Sequence, residues 1–387
     1  MTVSPRTVRS AALTGLILAL LGGCSATTFD TFPTTAQVVE QGDLLHRGPP
    51  LTSSTFQAAV DQRIAELVAQ PLDLQSALEI AVLNQPRLQG IYLAQNVNYP
   101  SFVEKLAAAR ASDPGTSVEW AAVRLALLPA VNRMSRYEFA EAYAGIAPEF
   151  VTTAEHIKKE WYAAVAAHQT EAMMRQVVDA LRAQAELANE QYRSGTVSRG
   201  EQAKRHIALG SVLKEHAAAK RELVEAREAL VRHLGLWGDL ADIKLPDRLP
   251  DLPAEAAKLD GIEDYALANR MDVVAARHKG GAWSKAVAAR SQAREAYANY
   301  LTAYDTAKYQ RDVVMPLTQV SLEFAQQEYN GMLIGVYDLL AEVQEQIEAG
   351  KDYIETLRDF WTAEAELISA LGGSLPGRSA SSKGSQS

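Results

Sequence analysis

The sequence predicts an all-α fold with two repeated, long antiparallel coiled-coil hairpins and several shorter helices. Apolar residues recur at steps of three and four from Ile157 to Tyr192, which is typical of one coiled-coil-like helix. A turn pattern follows at Ser194–Ser198, and a second helix then continues to His233. The same order of helix, turn and helix returns in the last third of the chain, which predicts a second hairpin.

The repetition is visible residue by residue. At an offset of 137 in residue number, the matched positions keep the turn, the charges and the terminal glycine in register: Tyr192 and Tyr329, Val197 and Ile334, Glu201 and Asp338, Arg221 and Arg358, Gly235 and Gly372. At an offset of 185, Ala81 and Asn84 match Ala266 and Asn269. Chance gives two or three matches among helical residues but hardly an ordered series, so we predict two halves with a common start and a common end.

The composition excludes several classes of protein. The chain has 387 residues, of which 48% are hydrophobic, with one cysteine and a net charge of −9. A chain of this length buries a large core without disulfides or metals, and one cysteine cannot form an intrachain bridge. The acidic balance argues against a nucleic-acid partner, because such proteins present a basic face.

The sequence shows none of the common catalytic motifs. The seven histidines include no pair at i and i+4 with a carboxylate that completes a metal site. There is no nucleophile elbow, phosphate-binding glycine loop or metalloprotease helix. We therefore expect no enzyme activity, no metal and no cofactor. The tryptophans at positions 161, 237, 283 and 361 stand at predicted helix seams or ends, where we expect them to pack in the core.

The N-terminus is typical of a bacterial lipoprotein signal peptide. Two arginines precede the apolar run Ala11–Leu21, which is too short to cross a ~30 Å hydrocarbon core with any margin. The following residues to Cys24 resemble a lipobox, which implies removal of residues 1–23 and acylation, including palmitate, of Cys24. By resemblance to sorted lipoproteins, Ser25 favours the outer membrane. We expect a lipid-anchored protein on the periplasmic face of that membrane.

Prolines, glycines and helical spacing set the remaining boundaries. Short helices are predicted at Thr55–Ala69, from Leu74 to Pro86, and at Leu88–Ala94, and short helices with loops from Asn96 to Pro148. The first hairpin begins at about Thr152, with arms of roughly 40 residues. The predicted divisions are a signal peptide at 1–23, a tether at 24–53, a first repeat at 54–235, a Pro-rich linker at 236–258, a second repeat at 259–372 and a disordered tail at 373–387.

Four segments of the sequence form a recognisable series. They are LDLQSALEIAVLNQPRLQG, QYRSGTVSRGEQ, HLGLWGDLADIKLPDRLPDLP, and EYNGMLIGVYDLLAEVQEQI through RDFWTAEAELISALGG. In this order, and with the lipobox, the chain resembles the outer-membrane efflux proteins, the TolC-like exit ducts of bacterial tripartite pumps. The resemblance implies shorter equatorial helices beside the hairpins and a homotrimer around a twelve-helix tunnel. It also implies hairpin tips that meet a periplasmic adaptor protein, and through it an inner-membrane pump.

One family feature is missing from the sequence. Family members insert two long β-strands into each repeat, and such strands alternate apolar and polar residues over ~10 positions. The interval between Asn269 and Tyr329 is short and is filled by helix-forming residues. In the first half the best alternation of residue types for a strand is Val123–Leu127, which is short and is followed by Pro129. We therefore predict that the β-barrel insert is absent, which leaves open whether the chain forms a pore.

The turns between the helices are the candidate docking sites. The first contains Gly195, Thr196, Val197 and Ser198, and the second contains Gly331, Met332, Leu333, Ile334 and Gly335. Gly195 permits a positive φ, Val197 is expected to be an exposed apolar knob, and Ser198 has the capping-box spacing to Glu201. Apolar residues beyond a coiled coil have no core of their own, so we expect them to pack on an adaptor. The alternative is that these aliphatic residues only staple the helices.

Glu201 and Asp338 are candidate constriction acids. They occupy a position where the family resemblance implies acids that line the tunnel, and three copies would form rings that attract cations. The alternative is that both acids simply stabilise helix N-termini.

Two functions follow from the resemblance. In the first, the protein is the outer-membrane component of a tripartite efflux or type I secretion system, docks an adaptor through its tips and guides solutes through a helical tunnel. In the second, it is a non-conducting, lipid-anchored periplasmic scaffold that binds an adaptor or a full-length duct.

Overall fold

The computed structural model describes residues 54–112, 117–131, 135–279 and 281–376. Apart from Ser54, they belong to the body of the chain that starts at Thr55. Within these ranges the chain forms helices and connecting loops and contains no β-strand, which confirms the predicted all-α fold with two repeated hairpins. The predicted signal peptide, Cys24 and the tether lie outside the described residues.

Short helices open the body of the chain. Asp73 caps the second of them, because its Oδ1 accepts a hydrogen bond from the Ser76 backbone N–H at 2.6 Å. Pro86 stands at the start of the third, where its missing N–H costs nothing. The helices are α1 (Ser54–Val68), α2 (Leu74–Asn84), α3 (Pro86–Ala94), α4 (Tyr99–Ser112) and α5 (Val118–Val131).

The first hairpin consists of α6 (Arg136–Arg193) and α7 (Arg199–Leu234). The expected start of α6 near Thr152 is wrong, because the helix already begins at Arg136, after a capping box between Ser135 and Glu138. Pro148 lies inside α6, although an interior proline costs about 3 kcal/mol. Burial of Ala144, Ala147 and Phe150 on the surrounding turns offsets this cost.

The second half repeats this organisation. Its helices are α8 (Ile262–Asn269), α9 (Met271–Lys279), α10 (Ala282–Tyr309), a π-helical turn (Gln310–Val314), α11 (Met315–Asn330) and α12 (Val336–Ala370). The sequence offsets reappear in the helix bounds. The first arms end at Arg193 and Asn330, and the second arms begin at Arg199 and Val336, so that both pairs keep the offset of 137. Likewise α3 and α9 match at both ends with the offset of 185.

Each half is closed by a contact between a short helix and the end of its hairpin. In the first half, Asn84 Nδ2 donates hydrogen bonds to the carbonyl oxygens of Leu234 at 2.9 Å and Gly235 at 2.8 Å. In the second half, a Cβ added to Gly372 would lie 2.9 Å from the backbone carbonyl of Asn269. Both glycines have positive φ, as is usual where a helix ends in the left-handed conformation.

A buried ion cluster joins α1, α2 and α4. Glu79 is 1% exposed and accepts hydrogen bonds from Arg63 Nε at 2.7 Å and from an Arg110 terminal nitrogen at 2.9 Å. The hydrogen bond to Glu79 is the largest effect on Arg63 and raises the pKa of that guanidinium. Arg110 also reaches Asp73, the cap of α2, at 3.2 Å. The cluster therefore fixes the three short helices against one another.

The linker between the repeats is bound to both hairpins. Leu249 and Leu252 are buried, and the Leu249 N–H donates to Gln169 of α6 at 3.0 Å. On the other side, Trp361 of α12 donates through its indole N–H to the Pro250 carbonyl at 3.0 Å. Tyr304 of α10 donates to the Ala254 carbonyl at 2.7 Å. The linker thus connects the two hairpins through hydrogen bonds to α6, α10 and α12.

Direct contacts also join the hairpins along their length. Lys159 of α6 pairs with Glu366 of α12 at 2.5 Å, and Lys351 of α12 pairs with Glu215 of α7 at 2.5 Å. Next to Lys351, Gly350 approaches the sulfur of Met173 so closely that a Cβ would lie 3.1 Å from it. The absence of a side chain on Gly350 therefore lets α12 pack tightly on α6.

Two expectations about packing are corrected by the structure. The predicted disordered tail does not start at residue 373, because Trp120 donates to the Gly373 carbonyl at 2.9 Å and Leu375 is buried. Residues 377–387 lie outside the described part of the chain. Trp161 and Trp361 are buried as expected, whereas Trp237 is 51% exposed and Trp283 is 79% exposed. Their sequence positions at helix ends did not distinguish the buried from the exposed indoles.

Candidate functional site at the hairpin tips

The tip of the first hairpin is a short polar turn. The Thr196 N–H donates to the Gln191 carbonyl at 2.8 Å, and Gly195 has a φ of +77°. Ser194 and Thr196 share a hydroxyl hydrogen bond at 2.9 Å. Ser198 then caps α7, because its Oγ accepts a hydrogen bond from the Glu201 N–H at 3.1 Å. The structure therefore places all four predicted tip residues in one turn that its own hydrogen bonds hold.

The tip of the second hairpin has the same backbone but a different residue in its left-handed position. The Leu333 N–H donates to the Glu328 carbonyl at 2.8 Å, which is the counterpart of the bond between Thr196 and Gln191 in the first tip. The residue that matches Gly195 is Met332, with a φ of +61°. A non-glycine residue in this region carries a conformational cost, so the second tip is strained where the first is not.

The exposed apolar surface of the tips comes mainly from two residues of the second hairpin. Met332 is 93% exposed and Leu333 is 78% exposed. Val197 and Ile334, the matched aliphatic pair, are only partly exposed, so Val197 protrudes less than the predicted apolar knob. Gly331 and Gly335 flank the second turn and leave Met332 and Leu333 projecting beyond the helices.

The strain at the second tip leads to a stability prediction. Met332→Gly is expected to raise the free energy of unfolding by about 0.5–1 kcal/mol, because glycine adopts positive φ without a steric penalty. Gly195→Ala should lower it by a similar amount, since no atom lies within 4 Å of the added Cβ and only the backbone conformation opposes it. Urea unfolding followed by circular dichroism measures both variants. A destabilised Met332→Gly variant would contradict the inferred strain.

The candidate constriction acids lie in the first turns of the second arms. Glu201 is near Lys204, whose Nζ lies 3.2 Å from its carboxylate. Asp338 accepts a hydrogen bond from the Gly335 N–H at 2.9 Å and so caps α12. Each acid thus has a local structural role. Each is also the third residue after the N-cap of its helix. A constriction role remains a prediction.

Two apolar surfaces lie on the shafts of the hairpins, in the part nearer the tips. A groove of about 280 Å³ lies between α7 and α12, with Ile207, Leu340 and Val343 among its walls and Leu181 of α6 in its floor. On α11, Leu317, Val320 and Phe324 are exposed at helical spacing and form an apolar stripe. Sequence reasoning missed both surfaces, although the spacing of the stripe was available as a signal.

Comparison with solved structures identifies the fold. The chain superimposes on a membrane protein from Pseudomonas aeruginosa with a TM-score of 0.57 at 14% identity, over 77% of this chain and 93% of that one. The outer-membrane protein VceC from Vibrio cholerae gives a TM-score of 0.53 at 14% identity, over 78% of this chain and 96% of that one. The chain has the fold of the TolC-like outer-membrane channels.

A third structure agrees with this assignment of the TolC-like fold. The outer-membrane channel OprN gives a TM-score of 0.51 at 12% identity, over 82% of this chain and 91% of that one. No family model matches the sequence, and no curated protein matches it either. The similarity therefore establishes the TolC-like fold, which confirms the resemblance inferred from the four sequence segments.

The TolC-like body shows two further features in its described ranges. None of the helices there is both long enough and apolar enough to span a membrane. Nor do His, Cys, Asp and Glu side chains in these ranges converge in a group of three that could hold a metal ion. The hairpin tips are the candidate site that the sequence predicts.

Proposed function

We propose that this protein is an outer-membrane-associated component of a tripartite efflux or type I secretion system. It docks a periplasmic adaptor through its hairpin tips and contributes to a helical tunnel for solute export. The observation that supports the proposal most is the exposure of Met332 and Leu333 at the end of a TolC-like hairpin. An exposed apolar pair at a loop end is stabilised when a partner covers it.

The proposal includes a lipid anchor and a complete export assembly. Acylated Cys24 holds the chain at the outer membrane. The adaptor then connects the tips to an inner-membrane pump. The groove between α7 and α12 offers the adaptor a second apolar contact beside the tips.

A homotrimer accounts for the apolar stripe on α11. Leu317, Val320 and Phe324 are exposed on the single chain, and a coiled-coil seam with a neighbouring copy buries such residues. In a closed trimer, Glu201 and Asp338 recur three times and form acidic rings that favour cations. Native mass spectrometry checks the assembly, and Phe324→Glu is expected to shift the protein from trimer to monomer.

Substitutions at the tips test adaptor docking. Leu333→Asp is expected to abolish co-purification with the adaptor, because it places a charge in the apolar contact. Gly195→Pro and Ile334→Asp should also abolish adaptor crosslinking; proline cannot adopt the φ of +77° at position 195. Val224→Asp is the matched control, since Val224 is exposed on the shaft of α7. Unchanged binding by Leu333→Asp with a native circular dichroism spectrum would exclude the tip from docking.

The alternative function is a non-conducting periplasmic scaffold that binds an adaptor or a full-length duct. The purely helical character of the described ranges favours this alternative. Conductance in planar bilayers separates the two functions. Discrete channels from the purified protein support the duct, and their absence with intact adaptor binding supports the scaffold.

A further inference from the structure

A basic surface with an exposed tryptophan lies at the end of the second hairpin that is opposite its tip. Residues 273–294 contain no acidic side chain, although the whole chain has a net charge of −9. The exposed residues Arg277, Trp283, Lys285 and Val287 of this segment form the basic end surface. Trp283 is 79% exposed in the first turn of α10, and Val287 follows one turn later.

The position of this surface in the fold is defined by the hairpin. The first arm runs without interruption from Ala282 to Asn330 through α10, the π-helical turn and α11. At about 1.5 Å per residue, Trp283 therefore lies roughly 70 Å along the arm from the tip. This orientation rests on the proposed function: if the tips face the adaptor, the basic end surface faces the outer membrane.

Two neighbouring acids are already paired with arginines. Asp272 is held by Arg270, whose nitrogens lie 3.0 Å from both of its carboxylate oxygens. Glu263 of α8 accepts a hydrogen bond from Arg294 at 3.0 Å and is also approached by Arg290 at 3.7 Å. Each acid is thus matched by at least one arginine of its own. Arg277, which donates to the Leu267 carbonyl at 3.1 Å, and Lys285, which lies near Asp272, add positive charge beyond these arginine pairs.

We propose that the basic end surface rests on the anionic lipid headgroups of the membrane that anchors the protein. Lysine and arginine are attracted to anionic lipid surfaces, and indole rings prefer the interface between headgroups and acyl chains. Trp283 and Val287 enter this interfacial region, while Lys285 and Arg277 contact headgroup phosphates. The contact supplements the lipid anchor and holds the hairpin upright, with its tip toward the adaptor.

Vesicle flotation tests the proposal with the mature chain, residues 24–387, carrying Cys24→Ser so that no lipid is attached. Vesicles of phosphatidylethanolamine with phosphatidylglycerol are compared with vesicles of phosphatidylcholine. The protein is expected to bind the anionic vesicles preferentially and to lose this binding in high salt. Trp283→Ala and Lys285→Glu should each lower the partition coefficient about fivefold or more. Both side chains are exposed, so both variants should keep their helical circular dichroism.

Two matched controls make the test specific. Trp237→Ala removes another exposed indole, which stands beside Asp239 and Asp242, and Lys258→Glu reverses an exposed charge in the linker. Neither control should change the partition. Equal binding to both kinds of vesicle, no effect of the Trp283 and Lys285 variants, or equal losses in the controls would each overturn the lipid contact. If adaptor capture by the tips persists in that case, the proposed function stands and only the lipid contact fails.

Discussion

Glu79→Ala is expected to lower the free energy of unfolding by about 3 kcal/mol, as judged by urea unfolding. Removing one member of a buried ion cluster leaves its partners without a counter-charge, which typically costs about 3–5 kcal/mol. The value should fall at the lower end of that range, because the side chains of Arg63 and Arg110 are 24% and 23% exposed and can turn toward water. Three helices lose their common contact in this variant.

A neighbouring carboxylate supplies the control for Glu79. Glu66→Ala also removes an ion pair with Arg63, at 3.1 Å, but Glu66 is 53% exposed. An exposed pair of this kind contributes about 0–1 kcal/mol, so this variant should be close to the parent protein. Similar effects of the two substitutions would mean that burial of Glu79 does not determine its contribution.

Gly372→Ala is expected to lower the free energy of unfolding by about 3 kcal/mol. The φ of +92° is unfavourable for alanine, and the added Cβ would lie 2.9 Å from the carbonyl carbon and oxygen of Asn269. Because these are backbone atoms, α8 has to shift to relieve the contact. Gly235→Ala should cost less, about 1–2 kcal/mol, since its Cβ meets the side-chain amide of Asn84, which can move at the expense of its hydrogen bonds to Leu234 and Gly235 while the backbone stays in place.

Gly210→Ala is the matched control for the two closing glycines. Gly210 lies in the exposed middle of α7, with nothing within 4 Å of an added Cβ. Alanine at this helical position should therefore stabilise the protein by about 1 kcal/mol. The three variants are thus expected to follow the order Gly210, Gly235, Gly372 from most to least stable. A neutral Gly372→Ala variant would contradict the close contact between the ends of the second repeat.

The sequence predicted the hairpins because their repetition carries several independent signals in register. The turn after Tyr192, the capping serine at position 198 and the terminal Gly235 each mark a boundary from local chemistry. The matched residues Tyr329, Gly335 and Gly372 mark the same boundaries in the second repeat, so these boundaries can be predicted without tertiary information. The structure reproduces the same register in the helix bounds and in the tip hydrogen bonds.

The sequence places the start of α6 too late, because an interior proline ordinarily ends a helix. Pro148 suggested a break, but burial of the surrounding residues maintains the helix through it. The signal for the true start was present, since Ser135 and Glu138 have the same capping-box spacing as Ser198 and Glu201. The capping box predicts a helix start at Ser135, whereas Pro148 predicts a helix end. Burial of the residues around Pro148 stabilises the continuous helix.

Exposure was harder to predict than helix position. Val197 and Ile334 were expected at the surface from their place in the turns, yet Met332 and Leu333 project further because of the left-handed residue at 332. In the same way, Trp237 and Trp283 lie at helix ends but outside the core. The sequence locates a residue along a helix, whereas its exposure depends on which other elements pack there.

Site-specific photo-crosslinking in cells tests whether the tips dock an adaptor. A photoreactive amino acid at position 333 is compared with the same amino acid at position 224, an exposed position on the shaft of α7. We expect position 333 to capture a periplasmic adaptor subunit and position 224 to capture none. No adaptor adduct from position 333, or equal adducts from both positions, would contradict docking by the tips.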